Sequence, residues 1–283
     1  MRSNIFKFEM FLLCLLFISI SSSGQIKLPK LISDGMVLQR DADVKIWGWA
    51  AKNEPVTVQF LDSTYHTVTD TLGTWTVHLV RLSAGGPFIM TLIASDTILI
   101  RDIMVGDVWI CSGQSNMELP VQRVSPKYKQ EIANSENPSI RCFTVPQKYN
   151  FNLPQKDVES GHWVAANPKT VLSFSAAAYF FAKELFDTYK VPIGLLHTSL
   201  GGSPAEAWMS EEALKKFPVH YAEAQKFRDS SLIDQIETSD RVRIQAWYDQ
   251  LWQKDEGSPS LLYLTYVFDS IIILYWELIV IPL

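Results

Sequence analysis

An apolar segment, Ile103 to Cys111, runs directly into the polar turn Gly113-Gln114-Ser115-Asn116-Met117. This pattern predicts a buried strand followed by a tight turn, which places Ser115 at the carboxyl edge of a sheet. Open α/β sheets carry their ligand sites at that edge, and a hydroxyl on a strand-to-helix turn can be aimed at a substrate carbonyl. A Gly-x-Ser tripeptide alone is weak evidence, because a polar turn that merely ends a strand has the same sequence.

Three segments of the chain are informative together: Val105 to Glu118, which contains the serine turn, Ile193 to Trp208, and Ser33 to Arg40 followed by Val44 to Ala50. They resemble blocks of the sialate O-acetylesterases, a branch of the SGNH-hydrolase superfamily. The last of the three is similar to that family's amino-terminal β domain. The likeness covers about residues 28–257. It implies a serine esterase that uses no metal or nucleotide cofactor and removes O-acetyl groups from sialic acid or related sugars.

The patterning predicts an α/β protein with two domains. Hydrophobic residues alternate over Val44–Trp47, Val56–Phe60 and Trp75–Leu79, with turn residues between these segments, so we expect residues 25–102 to form a small β-sandwich. His66 and His78 lie in this region without a third metal ligand at suitable spacing. They are therefore interpreted as ordinary strand residues.

From Ile103 the pattern changes to strand, helix and strand. A helix is expected to begin at Ser175, with Ala178, Phe181, Ala182 and Leu185 on one apolar face, and a strand follows over Ile193–Thr198. A helix followed by a strand is typical of a parallel sheet. Together with the resemblance, this predicts that residues 103–257 form an incomplete SGNH-type hydrolase domain of three α/β/α layers.

Two stretches are expected to surround that domain. The polar, proline-containing segment from the serine turn to about Pro168 predicts a long loop around a site. The amphipathic segment from Val219 to Lys254 predicts helices that cap one side. Its aromatic residues are interpreted as packing residues rather than as a sugar platform, and they are Tyr221, Phe227, Trp247, Tyr248 and Trp252.

The two ends of the chain differ from the rest. Residues 1–24 have basic residues, an apolar run from Met10 to Ile20 and then small residues, which predicts a secretory signal peptide and a periplasmic or extracellular protein. Residues 258–283 form an atypical hydrophobic tail, unlike the family. The abrupt change after Gly257 favours a lost reading frame, which would leave the hydrolase domain truncated at its C-terminus, over a membrane anchor, and only an anchor would make a membrane a partner.

The charge of the chain restricts the classes of partner that it can bind, and its cysteine content bears on disulfide formation. The chain has 25 basic and 30 acidic residues, a net charge of -5, and no basic cluster, which argues against nucleic-acid binding. An O-acetylated sugar remains the expected substrate. Cys14 would leave with the signal peptide, and whether Cys111 and Cys142 pair is left open.

The resemblance assigns roles to particular residues. Ser115 is the expected nucleophile, and its backbone N–H together with that of Gly201 or Gly202 is expected to bind the oxyanion of the tetrahedral intermediate. Ser203 is the weaker candidate for the nucleophile. The residue after a nucleophile usually donates its backbone N–H to the oxyanion, and Pro204 has no N–H. Four further residues are expected to line or brace the substrate pocket: Gln114, Asn116, Glu206 and Trp208.

The catalytic base is where the sequence departs from the family. Members carry an Asp-x-x-His near the end of the hydrolase domain and an Asn-bearing block of the Tyr-Gln-Gly-Glu-Ser-Asn kind, and neither is present here. No histidine has Asp three residues earlier, and the nearest match, Glu159 with His162, precedes the helix that begins at Ser175. The sequence therefore supports either an esterase lacking part of its site or an inactive glycan-binding remnant.

Overall fold

The computed structural model describes residues 25–148, 152 and 154–250. The expected signal peptide, the tail at 258–283 and Trp252 lie outside the described residues. The described part forms a mixed α/β structure. Its strands are β1 Val37–Gln39, β2 Val44–Trp49, β3 Pro55–Phe60, β4 Ser63–Val68, β5 Thr74–Leu79, β6 Gly85–Ile93, β7 Thr97–Gly113, β8 Asn137–Thr144, β9 Trp163–Ala166 and β10 Ile193–Ser199.

Helices occur only after β7 within the described ranges. They are α1 Ser115–Glu118, α2 Val121–Val124, α3 Lys129–Ala133, α4 Ala176–Tyr189, α5 Glu211–Leu214, α6 Pro218–Lys226 and α7 Ser230–Gln250, with short 3₁₀ helices at Thr170–Ser173 and Ala205–Trp208. None of them is long and apolar enough to cross a membrane.

Eight strands form one sheet in the order β4-β3-β6-β7-β10-β8-β9, with β1 also paired to β7, while β2 and β5 form a separate two-stranded sheet. The strands before β7 pair antiparallel except β1, and β10 pairs in parallel with both β7 and β8. The expected parallel pairing around the strand from Ile193 is confirmed. His66 and His78 lie on β4 and β5, as expected.

Strand β7 is longer than the sequence pattern predicts. The expected segment, Ile103–Cys111, is the later part of a 17-residue strand that begins at Thr97. Its early part pairs antiparallel with β6, and Asp107–Gly113 pairs in parallel with Ile193–Ser199. One continuous strand therefore carries the chain from the antiparallel region to the serine turn.

The prediction of a loop up to Pro168 is wrong, because strands β8 and β9 lie within that segment. Pro138 and the charged Arg141 interrupt the apolar pattern of β8, so hydrophobicity alone does not predict this strand. Arg141 is tolerated in the interior because its guanidinium donates to the carbonyls of Gly35 and Pro138, at 2.8 Å each, and pairs with Asp102 at 2.8 Å.

Helix α4 is confirmed at its expected start. The hydroxyl of Ser175 accepts a hydrogen bond from the N–H of Ala178, which caps the first turn. Ala178 and Ala182 are buried as expected, but Phe181 remains 41% exposed. Its ring instead makes an edge contact with Trp109, with the ring centroids 5.0 Å apart.

Helices from Pro218 onwards are present as expected, and the cap over one side stays a prediction. No residue of α7 is buried, and in this region Phe227 is the aromatic residue that reaches the interior, at 5% exposure. Trp247 and Tyr248 contact each other, with ring centroids 5.0 Å apart. Whether these rings pack in the protein or bind sugar stays a prediction.

Buried apolar residues form two clusters. The larger contains the inward-facing residues of β1 to β6 and extends to Ile103, Val105 and Trp163. The smaller lies between α4 and the parallel strands and includes Ile140, Tyr179 and Leu195. The serine turn follows directly from β7, a strand that contributes to both clusters.

Candidate active site

Ser115 is the first residue of α1 and follows β7 after a single intervening residue. The carbonyl of Gln114 accepts the N–H groups of Met117 at 2.9 Å and Glu118 at 3.0 Å, which fixes the turn. Gly113 has φ 140°, a conformation that favours glycine. The side chain of Ser115 is exposed, and its hydroxyl has no hydrogen-bond partner among the described residues.

The turn that follows β10 lies beside this serine. The N–H of Leu200 donates to the carbonyl of Gly113 at 3.0 Å, which extends the pairing of the two strands to their ends. A Cβ atom added to Gly201 would lie 3.7 Å from both Cα and Cβ of Ser115. The structure thus brings together the two turns that the sequence analysis singled out.

The two glycines of the second turn differ in the use of their N–H groups. The N–H of Gly201 donates to the Glu118 carboxylate, with 2.5 Å between N and Oε2. Within the described ranges, no acceptor receives the N–H of Gly202. The sequence offers the N–H of either Gly201 or Gly202 as an oxyanion donor, and in the structure the Gly201 N–H is already engaged.

The four expected pocket residues fall into two pairs. Gln114 and Asn116 flank Ser115 and are exposed. Glu206 and Trp208 lie on the 3₁₀ helix after β10 and contact other groups. Oε1 of Glu206 lies 2.9 Å from Nδ1 of His220, and Nε1 of Trp208 donates to the Ser203 hydroxyl at 2.9 Å.

Ser203, the rival nucleophile, is buried, with 6% of its surface exposed. Its hydroxyl donates to the carbonyl of Leu200 at 2.7 Å and accepts from Trp208. In this structure the Ser203 hydroxyl is shielded from solvent and holds the turn together.

The histidines are placed away from the Ser115 hydroxyl or are engaged elsewhere. Nε2 of His197 lies 2.6 Å from the hydroxyl of Ser199, and burial lowers the pKa of this histidine. His162 precedes β9, which is separated from β7 by β10 and β8, a span of roughly 14 Å at about 4.8 Å per strand. Direct proton transfer from Ser115 to His162 is therefore not possible in this arrangement.

The open question of a disulfide is settled by the strand order. Cys111 on β7 and Cys142 on β8 are separated by β10, which puts their Cα atoms about 9 to 10 Å apart, beyond disulfide reach. Both are free and buried, and burial raises their pKa values to about 11 and about 12. No three His, Cys, Asp or Glu side chains of the described part cluster as metal ligands.

Three residues at this site were not identified from the sequence: Glu118, Gln147 and Ser199. Glu118 is the last residue of the first segment that resembles the family, but no rule of sequence spacing connects it with Gly201. Nε2 of Gln147 donates to Oε1 of Glu118 at 2.7 Å and to the carbonyl of Ser199 at 3.1 Å. These contacts join segments that are far apart in sequence, so no local pattern indicates them.

Comparison with known proteins agrees with the resemblance. The family model described as carbohydrate esterase, sialic acid-specific acetylesterase, matches residues 105–246. The sialate O-acetylesterase of Rattus norvegicus is 34% identical over 202 residues, covering 65% of this chain and 37% of that protein. The Mus musculus protein of the same name is 30% identical over 226 residues, covering 74% of this chain and 42% of that protein.

A solved structure supports the same relationship. The crystal structure of a carbohydrate acetylesterase from Xanthomonas citri matches with a TM-score of 0.64 at 38% identity, covering 67% of this chain and 44% of that one. The chain thus spans less than half the length of these relatives. The family match includes both the serine turn and the Gly201-Gly202 turn. The chain belongs to the sialic acid-specific acetylesterase family of carbohydrate esterases.

Proposed function

We propose that this chain carries the nucleophile of an esterase that removes O-acetyl groups from sialic acid or a related sugar, with Ser115 as that nucleophile. The observation that carries the proposal is the exposed, unengaged hydroxyl of Ser115 at the carboxyl edge of the sheet, next to the glycine turn after β10. The names of the relatives support the acetyl-ester substrate.

In the proposed reaction, Oγ of Ser115 attacks the acetyl carbonyl carbon and a base accepts its proton. The negative charge that develops on the carbonyl oxygen is stabilised by backbone N–H groups of Ser115 and Gly202, since the N–H of Gly201 is bound to Glu118. The sugar oxygen then leaves with a proton. Water hydrolyses the acetyl-serine and regenerates the enzyme.

The base is the part of this reaction that the described residues do not supply. His197 is paired with Ser199, His220 with Glu206, and His162 lies across two intervening strands. A positioned general base contributes about 10²- to 10⁴-fold to such reactions. We therefore expect the 283-residue chain to acylate and turn over slowly.

The finer architecture is part of the same proposal. We propose a β-sandwich at residues 25–102 and the SGNH-type three-layer domain at 103–257, since the larger apolar cluster draws most of its residues from before residue 103 and the smaller one draws all of its buried residues from after it. The localisation proposed from residues 1–24 is periplasmic or extracellular. The inactive glycan-binding remnant is not proposed, because the matched relatives quoted above are named as acetylesterases.

The test is to trap the acyl-enzyme. The purified chain is incubated with an activated aryl acetate and, separately, with an O-acetylated sialic acid, then digested and analysed by mass spectrometry. We expect acetyl on the peptide containing Ser115, with faster labelling by the aryl ester because its leaving group needs less proton transfer. Acetylation of Ser203 instead, or of neither serine, would refute the assignment.

A further inference from the structure

The carboxylate of Glu118 ties together three turns at the carboxyl edge of the sheet. It belongs to the same helical turn as Ser115, three residues later. Its Oε2 accepts the Gly201 N–H, and its Oε1 accepts from Gln147, which follows β8. Gln147 in turn reaches the carbonyl of Ser199 at the end of β10. One side chain thus connects the exits of β7, β8 and β10.

The space at Gly201 shows how closely these turns are packed. A Cβ at this position would lie 2.5 Å from Oε2 of Glu118, which is closer than real Cβ contacts. Any larger residue must displace the carboxylate. The glycine is therefore explained by the need to fit Glu118 and Ser115 against the same stretch of backbone.

A buried contact between two side chains of β10 also fixes the end of this strand. The hydroxyl of Ser199 and Nε2 of His197 lie 2.6 Å apart, and both side chains are more than nine-tenths buried. With the Ser199 carbonyl bound to Gln147, the strand end is fixed on two sides. Beyond Leu200, the turn is closed by the bonds from Ser203 to the Leu200 carbonyl, and the Glu118 carboxylate is the contact that joins Gly201 to the helical turn of Ser115.

We propose that Glu118 is a positioning residue: it does not touch the substrate, but it holds the Gly201-Gly202 turn beside Ser115 so that the Gly202 N–H is the donor of that turn left for the oxyanion. This inference rests on the proposed function for its catalytic consequence. The structural half of it, the anchoring of Gly201, stands on the geometry alone.

The structural half is tested by amide hydrogen exchange on the 283-residue chain. In Glu118→Ala the Gly201 amide should exchange at least about 10-fold faster, because its acceptor is gone, while the Leu200 amide, bonded to the Gly113 carbonyl, stays protected. Glu118→Gln keeps an acceptor oxygen and should restore protection. Glu136→Ala removes an exposed carboxylate elsewhere and should change neither amide.

The catalytic half is tested by the rate of Ser115 acetylation with an aryl acetate. Glu118→Ala should lower the limiting rate constant roughly 10- to 100-fold, the effect of a small misplacement, with little change in the concentration for half-maximal rate. Glu118→Gln should recover most of the rate. Gly201→Ala should resemble Glu118→Ala, and the double variant should be no worse than either single change, because both release the same contact.

Different failures have different meanings. If Glu118→Ala leaves Gly201 exchange unchanged, or if Glu118→Gln is as damaging as Ala to the rate, the positioning role is wrong. If Ser115 is not acetylated in the unmodified chain, the proposed function fails, while the exchange data still decide the anchoring. Should Glu118→Ala not fold, Glu118→Asp, which is one methylene too short to reach Gly201 from the same backbone, takes its place in both measurements.

Discussion

Two serine-containing turns lie at the same edge of the sheet, one after β7 and one after β10, and they differ in what their hydroxyls do. Ser115 is exposed and its hydroxyl is unengaged among the described residues, whereas Ser203 is 6% exposed and bonded to both Leu200 and Trp208. The sequence ranks Ser203 below Ser115 only because Pro204 follows it, whereas the structure separates the two serines by their surroundings. Burial and hydrogen bonding thus distinguish two serines at one sheet edge, and they favour Ser115 as the proposed nucleophile.

The largest expected effect separates the two serines by chemistry. Ser115→Ala should remove nearly all of the slow acetyl-ester cleavage expected of this chain, because the attacking oxygen is removed. Ser203→Ala should leave most of the rate in the protein that remains folded. Initial rates of acetate release, corrected for folded protein by circular dichroism, measure both.

The opposite result would invert the comparison. If Ser203→Ala is inactive while folded and Ser115→Ala retains the rate, the buried serine is the nucleophile and its turn must open to admit substrate. Rates should be compared under turnover, since oxyanion donors and binding alone can leave residual hydrolysis.

The second effect separates the serines by stability. Ser203→Ala leaves the indole N–H of Trp208 without its acceptor, so we expect a loss of about 1 to 3 kcal/mol in the free energy of unfolding. Ser115→Ala should stay within about 0.5 kcal/mol, because an exposed side chain without partners is removed. Urea unfolding of both variants checks this, and equal losses would contradict the contrast.

A smaller effect is expected from the other side of the same hydrogen bond. Trp208→Phe replaces the indole by a smaller ring without the N–H, and the lost hydrogen bond should cost about 1 kcal/mol. Combined with Ser203→Ala, the total loss should be less than the sum of the single losses, because both remove one contact. Strict additivity in denaturant unfolding would show that Trp208 stabilises the turn by packing alone.

The smallest effect concerns His197, which lies on β10 before the second turn and faces Ser199 and the charge of Glu118. Burial lowers its pKa in the folded state, so the unfolded chain binds a proton more readily. Stability should be full above pH ~6.5, the usual histidine value, and fall as the pH drops below it. In His197→Asn this part of the decline should disappear, which melting temperatures between pH 5 and 8 would reveal.

Much of the site's outline could be predicted from local sequence. The strand before Ser115, the helix starting at Ser175 and the strand from Ile193 follow from periodicity and capping. Strand β8 was missed because Pro138 and Arg141 interrupt its apolar pattern, and Arg141 is buried only because distant carbonyls at Gly35 and Asp102 accept its N–H groups. That compensation is invisible in a window of neighbouring residues.

The sequence by itself determined the family, the serine turn and the absence of a matching base, since each depends on residues adjacent in the chain. Only the tertiary structure decided which glycine N–H is engaged, which serine is buried and that Cys111 and Cys142 stay apart. The reason is the strand order: β10 lies between β7 and β8, so its exit turn meets Ser115 while the cysteines fall on strands that never touch. Contacts between strand ends depend on sheet order, and sheet order is fixed by long-range packing rather than by local sequence.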